Sequence, residues 1–403
     1  MSAARTEFAK SGERNQPMAR IVVLGGAGEV GQWVVRDLCE RPNVKEVVIA
    51  EVALDRASAL AEEVGPKARI LKVDMQDRTA VIEQLRGADL LMNCTSHVYF
   101  DDSFALALDA RVNYADLISE PSAAQRDAAV AAQITAVSGL GISPGVTQVL
   151  VRQAVDELER VDEVHVSGVS WRTIAPSRGG LETVLWELAE STPTRQYFQN
   201  GLFRGASYLE GTRWVDFMEP VGRHRVYYVP HPETTSLVQS FPQLKFCATR
   251  VSWRDEIMED VAVLNKYGLL DDATVVNAGG LTIREAVRDR IWQVRGEERD
   301  DRGWALMCTV EIVGVRDGRS VVRTYQTGHP QWGPDTTGRV TGLCAAVGAE
   351  LLALAPPDQM GWLAPELAFE PRAFLAALDE RKHIPIVQHE HAIDGEMLKR
   401  TGS

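Results

Sequence analysis

Three glycines near the start of the chain have the spacing of a phosphate-binding loop. Gly26, Gly28 and Gly31 follow the short apolar run Arg20 to Leu24 in the order G-x-G-x-x-G,. In this pattern the first glycine lets the strand turn, the second lets the backbone approach a pyrophosphate, and the third lets a helix pack closely on the strand. We therefore predict a dinucleotide-binding loop. Its predicted contact residues are Gly26, Ala27, Gly28, Glu29, Val30 and Gly31.

An acidic residue stands where this fingerprint expects contact with the adenosine ribose. Glu51 ends a second apolar strand, Val47 to Ala50, and lies 20 residues beyond Gly31,. A carboxylate there would accept hydrogen bonds from the ribose hydroxyls and repel a 2′-phosphate, so we predict NAD rather than NADP as the cofactor. Two alternatives stay open: Glu51 is a solvated acid at a strand end, or Arg56 helps to bind a phosphate instead.

Strands and helices alternate from residue 19 to residue 138, which is typical of a wound parallel sheet,. Six strands can be recognised, and six complete an N-terminal Rossmann fold. Ligands of such sheets bind beyond the carboxyl ends of the strands, so polar residues that follow the strands are candidates for the site. For the cofactor these are Asp74, Cys94 and Thr95, and for the substrate they are Asp116 and Glu120.

The segment Gly139 to Gly145 leaves the sheet and enters a strongly periodic helix, Val146 to Leu158,. We interpret this segment as a hinge between domains. Free amides at the start of the helix would meet a substrate carboxylate or the nicotinamide amide, which makes Ser143, Pro144 and Gly145 candidate substrate residues. Alternatively, the Pro-Gly pair serves only to begin the helix.

The second half of the chain has a different pattern. From Glu163 to Tyr325 it is rich in strands, with Asp317-Gly318 as a hairpin turn,. The predicted fold class is therefore α/β, with an α+β second domain whose sheet is mainly antiparallel. We divide the chain into a disordered tail (1–18), an NAD-binding Rossmann domain (19–143), an α+β substrate and dimerisation domain (144–331), a C-terminal segment that returns to the Rossmann domain (332–380) and a polar tail (381–403).

The composition argues against several classes of partner. The 403 residues carry a formal net charge of −13, and no basic run offers a surface for nucleic acid or an anionic membrane,. The N-terminal residues lack the apolar core of a secretory signal, and no uncharged apolar run reaches about 18 residues. Five cysteines without C-x-x-C spacing suggest neither a disulfide framework nor a zinc site,. We expect a cytoplasmic protein that binds a small molecule and no metal.

Several motifs along the chain resemble the saccharopine dehydrogenase family, a group that includes lysine 6-dehydrogenase and carboxynorspermidine dehydrogenase-like enzymes. The similarity spans about residues 19 to 380. The segments that carry it are Gly25 to Gly31, Cys94 to Phe100, Asn113 to Leu117, Gly141 to Gly145, Tyr227 to Glu233, Gly361 to Glu366 and Pro371 to Leu375. The resemblance implies a nicotinamide oxidoreductase that acts on a C–N bond of an amino acid or polyamine derivative. It also implies a homodimer, with the substrate site and dimer contacts in the middle domain.

The resemblance does not fix the reaction. No feature of the sequence separates the glutamate-forming saccharopine enzyme from the lysine enzyme, and some relatives have lost activity. The alternative function is therefore an NAD-binding regulatory or scaffold protein of the same fold.

Oxidation of a C–N bond by hydride transfer needs a group that takes the amine proton or activates water on the imine. His97 and Tyr99 follow the fourth strand and could reach the nicotinamide, although His97 could instead bond a local carbonyl while Tyr99 packs,. In the second domain, His231 and Glu233 close an aromatic strand and are further catalytic candidates. Arg172 follows a strand and is predicted to bind a substrate carboxylate through two hydrogen bonds,.

Overall fold

The computed structural model describes residues 18–73, 78–277, 279–296, 303–329, 336–381 and 384–393. The predicted disordered tail lies outside the described residues except for Met18. Asp74, one of the predicted cofactor residues, also lies outside them. Both assignments therefore stay predictions.

The elements alternate through the first third of the chain and are then dominated by strands, as the sequence pattern predicts. In chain order the strands are β1 (Ala19–Leu24), β2 (Val44–Glu51), β3 (Ala68–Lys72), β4 (Leu90–Asn93), β5 (Asn113–Asp116), β6 (Thr135–Ser138), β7 (Arg160–Trp171), β8 (Gln196–Gln199), β9 (Leu202–Gly205), β10 (Arg213–Asp216), β11 (Arg223–Tyr228), β12 (Phe246–Trp253), β13 (Ala305–Arg316), β14 (Arg319–His329), β15 (Gly361–Leu363) and β16 (Ile386–Ala392).

Helices connect these strands and cover the faces of the sheets. They are α1 (Gly31–Glu40), α2 (Leu54–Val64), α3 (Arg78–Leu85), α4 (Phe100–Ala110), α5 (Ala123–Ala132), α6 (Val146–Glu157), α7 (Arg178–Leu188), α8 (Glu233–Ser240), α9 (Asp255–Lys266), α10 (Ile283–Arg295), α11 (Thr336–Leu354), α12 (Pro365–Ala368) and α13 (Pro371–Glu380). A short 3-10 turn, His97–Tyr99, precedes α4.

The N-terminal domain is a seven-stranded sheet in the order β15-β6-β5-β4-β1-β2-β3. All neighbouring strands run parallel. Helices cover both faces of the central strand β1, so Ile21, Val22 and Val23 are fully buried, and the strand is apolar except for Arg20, whose side chain pairs with Glu46,. The strand order reverses between β1 and β4, and such a switch point opens a crevice for a ligand at the carboxyl ends of the strands.

The second domain is built on a nine-stranded sheet. Seven of its strands follow the order β10-β11-β12-β7-β13-β14-β16, while β8 pairs with β12 and β9 pairs with β8. Only β7 and β12 are parallel neighbours along this path, so the sheet is mainly antiparallel, as predicted. Asp317 and Gly318 form the predicted hairpin turn between β13 and β14, with φ angles of 49° and 69°. The observed architecture therefore confirms the predicted fold class.

The chain returns to the first domain through α11. A Cβ at Gly338 would lie 2.6 Å from the carbonyl oxygen of Glu29, and one at Gly342 would lie 2.6 Å from the Cβ of Trp33. These glycines let α11 pack directly on α1. By length and composition alone, Thr337–Leu354 could cross a membrane, but its apolar side chains, such as Val340, Ala346 and Leu352, belong to the protein core.

The C-terminal part adds two strands that the sequence pattern did not reveal. β15 pairs with β6 and extends the parallel sheet to a seventh strand. β16 pairs with β14 at the edge of the second sheet, so the segment 381–403 is not simply a polar tail. Six of the seven residues of β16 are exposed, which explains why no apolar alternation marks this strand in the sequence.

Candidate functional site

A cleft between the two sheets collects most of the predicted site residues. It encloses about 1060 Å³. Pockets that hold drug-sized ligands enclose roughly 300–1,000 Å³, so the cleft is at the upper end of that range. The glycine loop and the ends of β2 and β4 form its N-terminal wall, and residues of the second domain form the opposite wall. The predicted residues that line it are Ala27, Gly28, Glu29, Val30, Glu51, Cys94, Thr95, His97, Tyr99, Ser143, Pro144, Arg172 and His231.

The glycine loop has the predicted form, but the glycine that turns the chain is Gly25. Its φ is +72°, so the prediction that Gly26 makes the turn is wrong. A Cβ at Gly26 would lie 2.9 Å from the carbonyl oxygen of Val23, and one at Gly31 only 2.2 Å from that of Gly25. Both glycines therefore permit close packing. A Cβ at Gly28 would meet just the Gly25 carbonyl oxygen, at 3.1 Å, among the described atoms within 4 Å, which leaves open space where a pyrophosphate would approach.

Glu51 turns its carboxylate toward this loop. One oxygen accepts a hydrogen bond from the Ala27 amide at 3.3 Å, and the other accepts from the amides of Val52 and Ala53 at 2.9 and 3.3 Å. Because Glu51 is only 6% exposed, its interpretation as a solvated acid is wrong. Arg56 is exposed on the same wall of the cleft. The open side of Gly28 and the buried carboxylate beside it fit the pyrophosphate and ribose of a dinucleotide.

Other predicted cofactor residues form hydrogen bonds within the protein that fix the structure of this wall. The Glu29 carboxylate accepts a hydrogen bond from the Ser177 hydroxyl, which caps α7, so Glu29 ties the glycine loop to the second domain. The Thr95 hydroxyl donates to the side-chain oxygen of Asn93 at 2.6 Å. Burial raises the pKa of Cys94, so its thiol is neutral at pH 7.

The second domain places His231 between two carboxylates. Its Nε2 lies 3.1 Å from Oε1 of Glu187, and its Nδ1 lies 3.4 Å from Oε2 of Glu233. The Ser143 hydroxyl donates to the other oxygen of Glu233 at 2.6 Å. Glu187, His231 and Glu233 are all buried, and Glu233 is completely so. We call these three residues the Glu–His–Glu cluster.

The two carboxylates hold the proton on His231. Burial alone would lower the pKa of His231, but the charges of Glu233 and Glu187 and their hydrogen bonds outweigh it and raise the pKa to about 10. For Glu233, burial would raise the pKa, while the charge of His231 and hydrogen bonds from His231 and Ser143 lower it. At neutral pH the cluster is an imidazolium between two carboxylates, with one net negative charge.

Arg172 is buried but has hydrogen-bonding capacity to spare. It is 5% exposed, and Nη2 donates to the carbonyl oxygen of Gly180 at 3.4 Å. Nε and Nη1 have no partner among the described residues. Burial lowers the pKa of Arg172, which the negative charges of Glu29 and Glu187 oppose, and a guanidinium remains charged in proteins. A buried cation with free donors in a cleft is suited to an anionic ligand.

The Ser143-Pro144-Gly145 loop contributes a side chain rather than backbone amides. The first amides of α6 already donate to the carbonyl oxygens of Gly141, Ile142 and Gly145 at 3.0 to 3.1 Å. The Gly145 amide donates to the side chain of Gln148 at 2.9 Å. The prediction of free amides at this helix start is therefore wrong, because the loop folds back and satisfies them. Ser143 and Pro144 line the cleft, and Ser143 holds Glu233 in place.

His97 and Tyr99 lie on the cleft wall but differ in their surroundings. The His97 ring is 5.2 Å from the ring of Trp186, and its Nδ1 has no hydrogen-bond partner within the described part of the chain. Burial lowers the pKa of His97, so its imidazole is neutral at pH 7. Tyr99 is 54% exposed at the rim, which argues against the alternative that it packs.

The two acids after β5 are not equivalent. Asp116 is buried, and its carboxylate accepts hydrogen bonds from the hydroxyls of Ser119 and Ser138 and from the amides of the same loop. These bonds engage both oxygens, so the geometry gives Asp116 a structural role in the loop. Glu120 is exposed and lines a smaller cavity that adjoins the cleft.

Glu187 is the main site residue that the sequence interpretation missed. It lies on α7, where the sequence pattern near Leu181 to Ala189 predicts an amphipathic helix that covers one face of the second sheet,. Its position falls among the buried residues Val184, Leu185 and Leu188. A charged residue in the apolar stripe of a helix is the signal that could have revealed it.

Glu366 is a second buried acid that the sequence interpretation missed. It is fully buried on α12 and accepts hydrogen bonds from Gln148 Nε2 and the Ser240 hydroxyl, both at 2.9 Å. Gln148 Nε2 also lies 2.8 Å from the Ser236 hydroxyl. Burial raises the pKa of Glu366 to about 7 against hydrogen bonds that lower it. This network joins α6, α12 and α8, the helix that begins with Glu233.

Comparison with known proteins gives the same family at several levels. Residues 21–137 match the model of the saccharopine dehydrogenase NADP binding domain. Carboxyaminopropylagmatine dehydrogenase of Synechocystis sp. is 23% identical over 391 residues, which cover 90% of this chain and 96% of that protein. Carboxynorspermidine synthase of Vibrio alginolyticus is 25% identical over 291 residues, which cover 62% of this chain and 69% of that protein.

A solved structure has the same fold. Apo saccharopine dehydrogenase (L-Glu forming) from Saccharomyces cerevisiae superimposes with a TM-score of 0.66 at 18% identity, and the match covers 93% of this chain and 100% of that one. The relatives named here are amine-related or amino-acid-related enzymes, and their family carries a nucleotide-binding domain where this chain has the glycine loop. In its motifs, its fold and these relatives, the chain is similar to the saccharopine dehydrogenase family, and residues 21–137 match the NADP binding domain of that family.

Proposed function

We propose that the protein is a nicotinamide-dependent oxidoreductase that transfers hydride at a C–N bond of a carboxylated amine. The observation that carries this proposal is Arg172, a buried cation whose Nε and Nη1 lack partners among the described residues. It lines the same cleft as the glycine loop and His231. The names of two relatives, carboxyaminopropylagmatine dehydrogenase and carboxynorspermidine synthase, likewise refer to carboxylated amines.

The charges of the cleft suit a substrate of mixed charge. Arg172 would hold the carboxylate through two charge-assisted hydrogen bonds. The Glu–His–Glu cluster has one net negative charge, and His231 and Glu187 both line the cleft, so it would attract the protonated amine. An amino acid derivative carries both groups, whereas a simple alcohol or sugar carries neither.

The residues of the chain divide the remaining chemistry between them. A bound nicotinamide supplies the acceptor or donor of hydride. Neutral His97 would accept the proton that the amine must lose before oxidation, since a catalytic base must be unprotonated at the working pH. His231, kept protonated by Glu187 and Glu233, directs its two N–H groups at these carboxylates and would hold them in place beside the amine. Ser143 would fix Glu233 and thereby His231.

We further propose NAD as the preferred cofactor, on the basis of the Glu51 carboxylate beside the glycine loop. The family model that matches is named for NADP binding, so this preference needs a direct test. With NAD preferred, replacing Glu51 by serine should lower kcat/KM for NAD and raise it for NADP, because the repulsion of a 2′-phosphate is lost. Equal kcat/KM for the two cofactors in the wild type would refute the preference.

The test of the proposed function is an assay of reduced-nicotinamide absorbance with a panel of amines. The panel pairs each carboxylated secondary amine with the analogue that lacks its carboxylate, and it includes the corresponding aldehyde or keto-acid plus amine for the reverse direction. We expect turnover of the carboxylated members. Tight dinucleotide binding with no turnover of any member in either direction would support the regulatory or scaffold alternative instead.

We also propose a cytoplasmic homodimer. Leu202, Phe203 and Trp214 are exposed apolar side chains on β9 and β10, where a second copy could cover them. Light scattering of the purified protein measures the mass, and a monomer at micromolar concentration would contradict the dimer.

A further inference from the structure

A second, smaller cavity adjoins the cleft at the ends of β4 and β5. It encloses about 190 Å³, far more than the roughly 10–15 Å³ that one water molecule needs. Thr95, His97, Leu117 and Ile118 line both the cleft and this cavity, so the two spaces share a wall. We call the smaller space the side pocket. Its remaining walls include Phe100, Asp116, Glu120, Trp186, Thr194 and Pro230.

The charged residues that line the side pocket are acidic. Asp116 and Glu120 contribute carboxylates, and no lysine or arginine is among its described lining residues. Because both oxygens of Asp116 accept hydrogen bonds in their own loop, Glu120 is the carboxylate that can turn to a ligand. Arg126 on α5 and His231 act on Glu120 electrostatically, and the negative charge of Glu233 opposes them. Desolvation of its carboxyl group and that negative charge raise the pKa of Glu120.

Aromatic and polar groups complete the chemistry of the side pocket. Trp186 presents an indole beside His97, with 5.2 Å between the ring centroids. Aromatic faces attract ammonium and guanidinium groups. The Thr194 hydroxyl oxygen and His97 Nδ1 are buried atoms without a hydrogen-bond partner among the residues that the structure describes. The threonine hydroxyl can accept a hydrogen bond from a cationic donor.

We propose that the side pocket binds a second positively charged group of the substrate, an ammonium or guanidinium separate from the nitrogen that reacts. This inference rests on the proposed function and narrows its substrate class. The substrate is then a carboxylated polyamine or guanidino amine rather than an amine that carries a second carboxylate. Arg172 holds the carboxylate in the cleft, and Glu120 with Trp186 holds the cationic end.

The alternative occupant is a carboxylate, as in a substrate that joins two amino acids. A carboxylate in the side pocket would face Glu120 and Asp116 with no described basic residue in the walls to compensate it. Like charges at close range disfavour such a complex. The side pocket therefore disfavours a carboxylate, whereas Arg172 in the cleft favours one.

Calorimetry on the full-length protein saturated with NAD tests the pocket without turnover. The probes are agmatine and putrescine as cations and glutarate as the anionic control. We expect both cations to bind, and Glu120→Gln to weaken their binding about tenfold, the loss typical of one hydrogen bond to a charged group. Asp127→Asn, which removes an equal charge from an exposed position on α5, should leave binding unchanged.

A second variant tests the aromatic wall. Trp186→Leu keeps an apolar side chain but removes the aromatic face, and it should weaken binding of agmatine about threefold or more. Circular dichroism and thermal melting establish that each variant is folded. Equal affinity for agmatine in the wild type, Glu120→Gln and Trp186→Leu would overturn the proposal. Glutarate is expected to bind at Arg172, so Glu120→Gln should leave its affinity unchanged, and a loss of glutarate affinity as large as that of agmatine would also overturn the proposal.

The outcomes separate this inference from the proposed function. If an amine with two carboxylates is oxidised and Glu120→Gln leaves its KM unchanged, the side pocket has been misassigned while the oxidoreductase stands. If the cations bind through Glu120 but no amine is turned over, the assignment of the side pocket is supported and the proposed oxidoreductase activity is refuted.

Discussion

The two walls of the cleft differ in what they offer to a ligand. The N-terminal wall uses backbone and space: Gly28 leaves room for a pyrophosphate, and Gly31 lets α1 approach the sheet. The opposite wall uses buried charge, namely Arg172 and the Glu–His–Glu cluster. The first wall should therefore be sensitive to added volume and insensitive to pH. The second should tolerate changes of volume better than changes of charge or protonation.

The two walls also differ in generality: one would bind a cofactor that many enzymes share, and the other would bind a substrate particular to this protein. The pyrophosphate of a dinucleotide is the same in every enzyme that uses one, so backbone amides and open space suffice to bind that part of the cofactor. A substrate differs from enzyme to enzyme, and side chains of distinct charge are needed to select it. The residues that select the substrate should therefore be charged side chains, namely Arg172 on the wall of the second domain and Glu120 in the side pocket.

The largest effect is expected from adding volume to the N-terminal wall. Gly28→Val should abolish dinucleotide binding, because its side chain would fill the space of the pyrophosphate. Calorimetry with NAD and NADP measures this. Gly205→Val is the matched control, since a Cβ at Gly205 meets no atom within 4 Å and the residue lies on β9. Wild-type affinity in a folded Gly28→Val protein would show that the loop has been assigned the wrong ligand.

A large pH effect is expected from the buried acid behind the second wall. The pKa of Glu366 is raised from 4.5 to about 7 in the folded protein. As the pH rises, the unfolded chain therefore loses this proton at a lower pH than the folded protein does. The free energy of unfolding should fall by about 3 kcal/mol between pH 4.5 and pH 7 on account of this group. Denaturant titrations at several pH values measure the fall.

Glu366→Gln should remove that fall, because a carboxamide offers the same donor and acceptor as a protonated carboxyl group. Glu62→Gln, an exposed change on α2, should leave the fall in place. If the glutamine variant kept the full pH dependence of the wild type, the buried carboxyl would have to be ionised across the whole range.

A smaller effect is expected from one carboxylate of the Glu–His–Glu cluster. Glu187→Gln removes a charge that raises the pKa of His231, so that pKa should fall from about 10 by at least about one unit. The stability that the raised pKa contributes is present below pH 6.5 and is lost as the pH rises toward 10, and the variant should lose it at lower pH. Titration of the His231 ring protons by NMR measures the change.

Glu182→Gln provides the control for this variant. Glu182 also lies on α7, but its carboxylate pairs with Arg288 at 2.8 Å, so the pKa of His231 should move little. An unchanged His231 titration in Glu187→Gln would mean that Glu233 alone holds the proton.

The sequence predicts the N-terminal wall well because its geometry is local. Gly26 to Gly31 lie in one strand-turn-helix unit, so their spacing fixes their places, and only the turning glycine was misassigned by one residue. Ser143, Arg172, Glu187 and His231 come together only through the packing of distant elements. Spacing along the chain carries no information on such contacts. The sequence pattern therefore predicts only a covering helix at Glu187 and no functional role for its side chain.

Two further differences have equally physical causes. The amides at the start of α6 were expected to be free, but the sequence does not reveal that the preceding loop folds back on them. The edge strand β16 is almost wholly exposed, so it lacks the apolar alternation that marks a half-buried strand. In both cases the structure depends on backbone hydrogen bonds that leave no trace in residue type.

The most direct test of the central claim compares a carboxylated amine with its carboxamide analogue in the wild type and in Arg172→Met. The substrate is the best carboxylated amine from the activity panel, and kcat/KM is measured for all four combinations. We expect the wild type to prefer the carboxylate at least about tenfold, since each charge-assisted bond to Arg172 contributes roughly 1.5–3 kcal/mol. Arg172→Met should lose most of this preference, while its activity on the carboxamide should change little. A preference for the carboxylate that is equally large in both proteins would contradict the account, because some other residue would then hold the substrate.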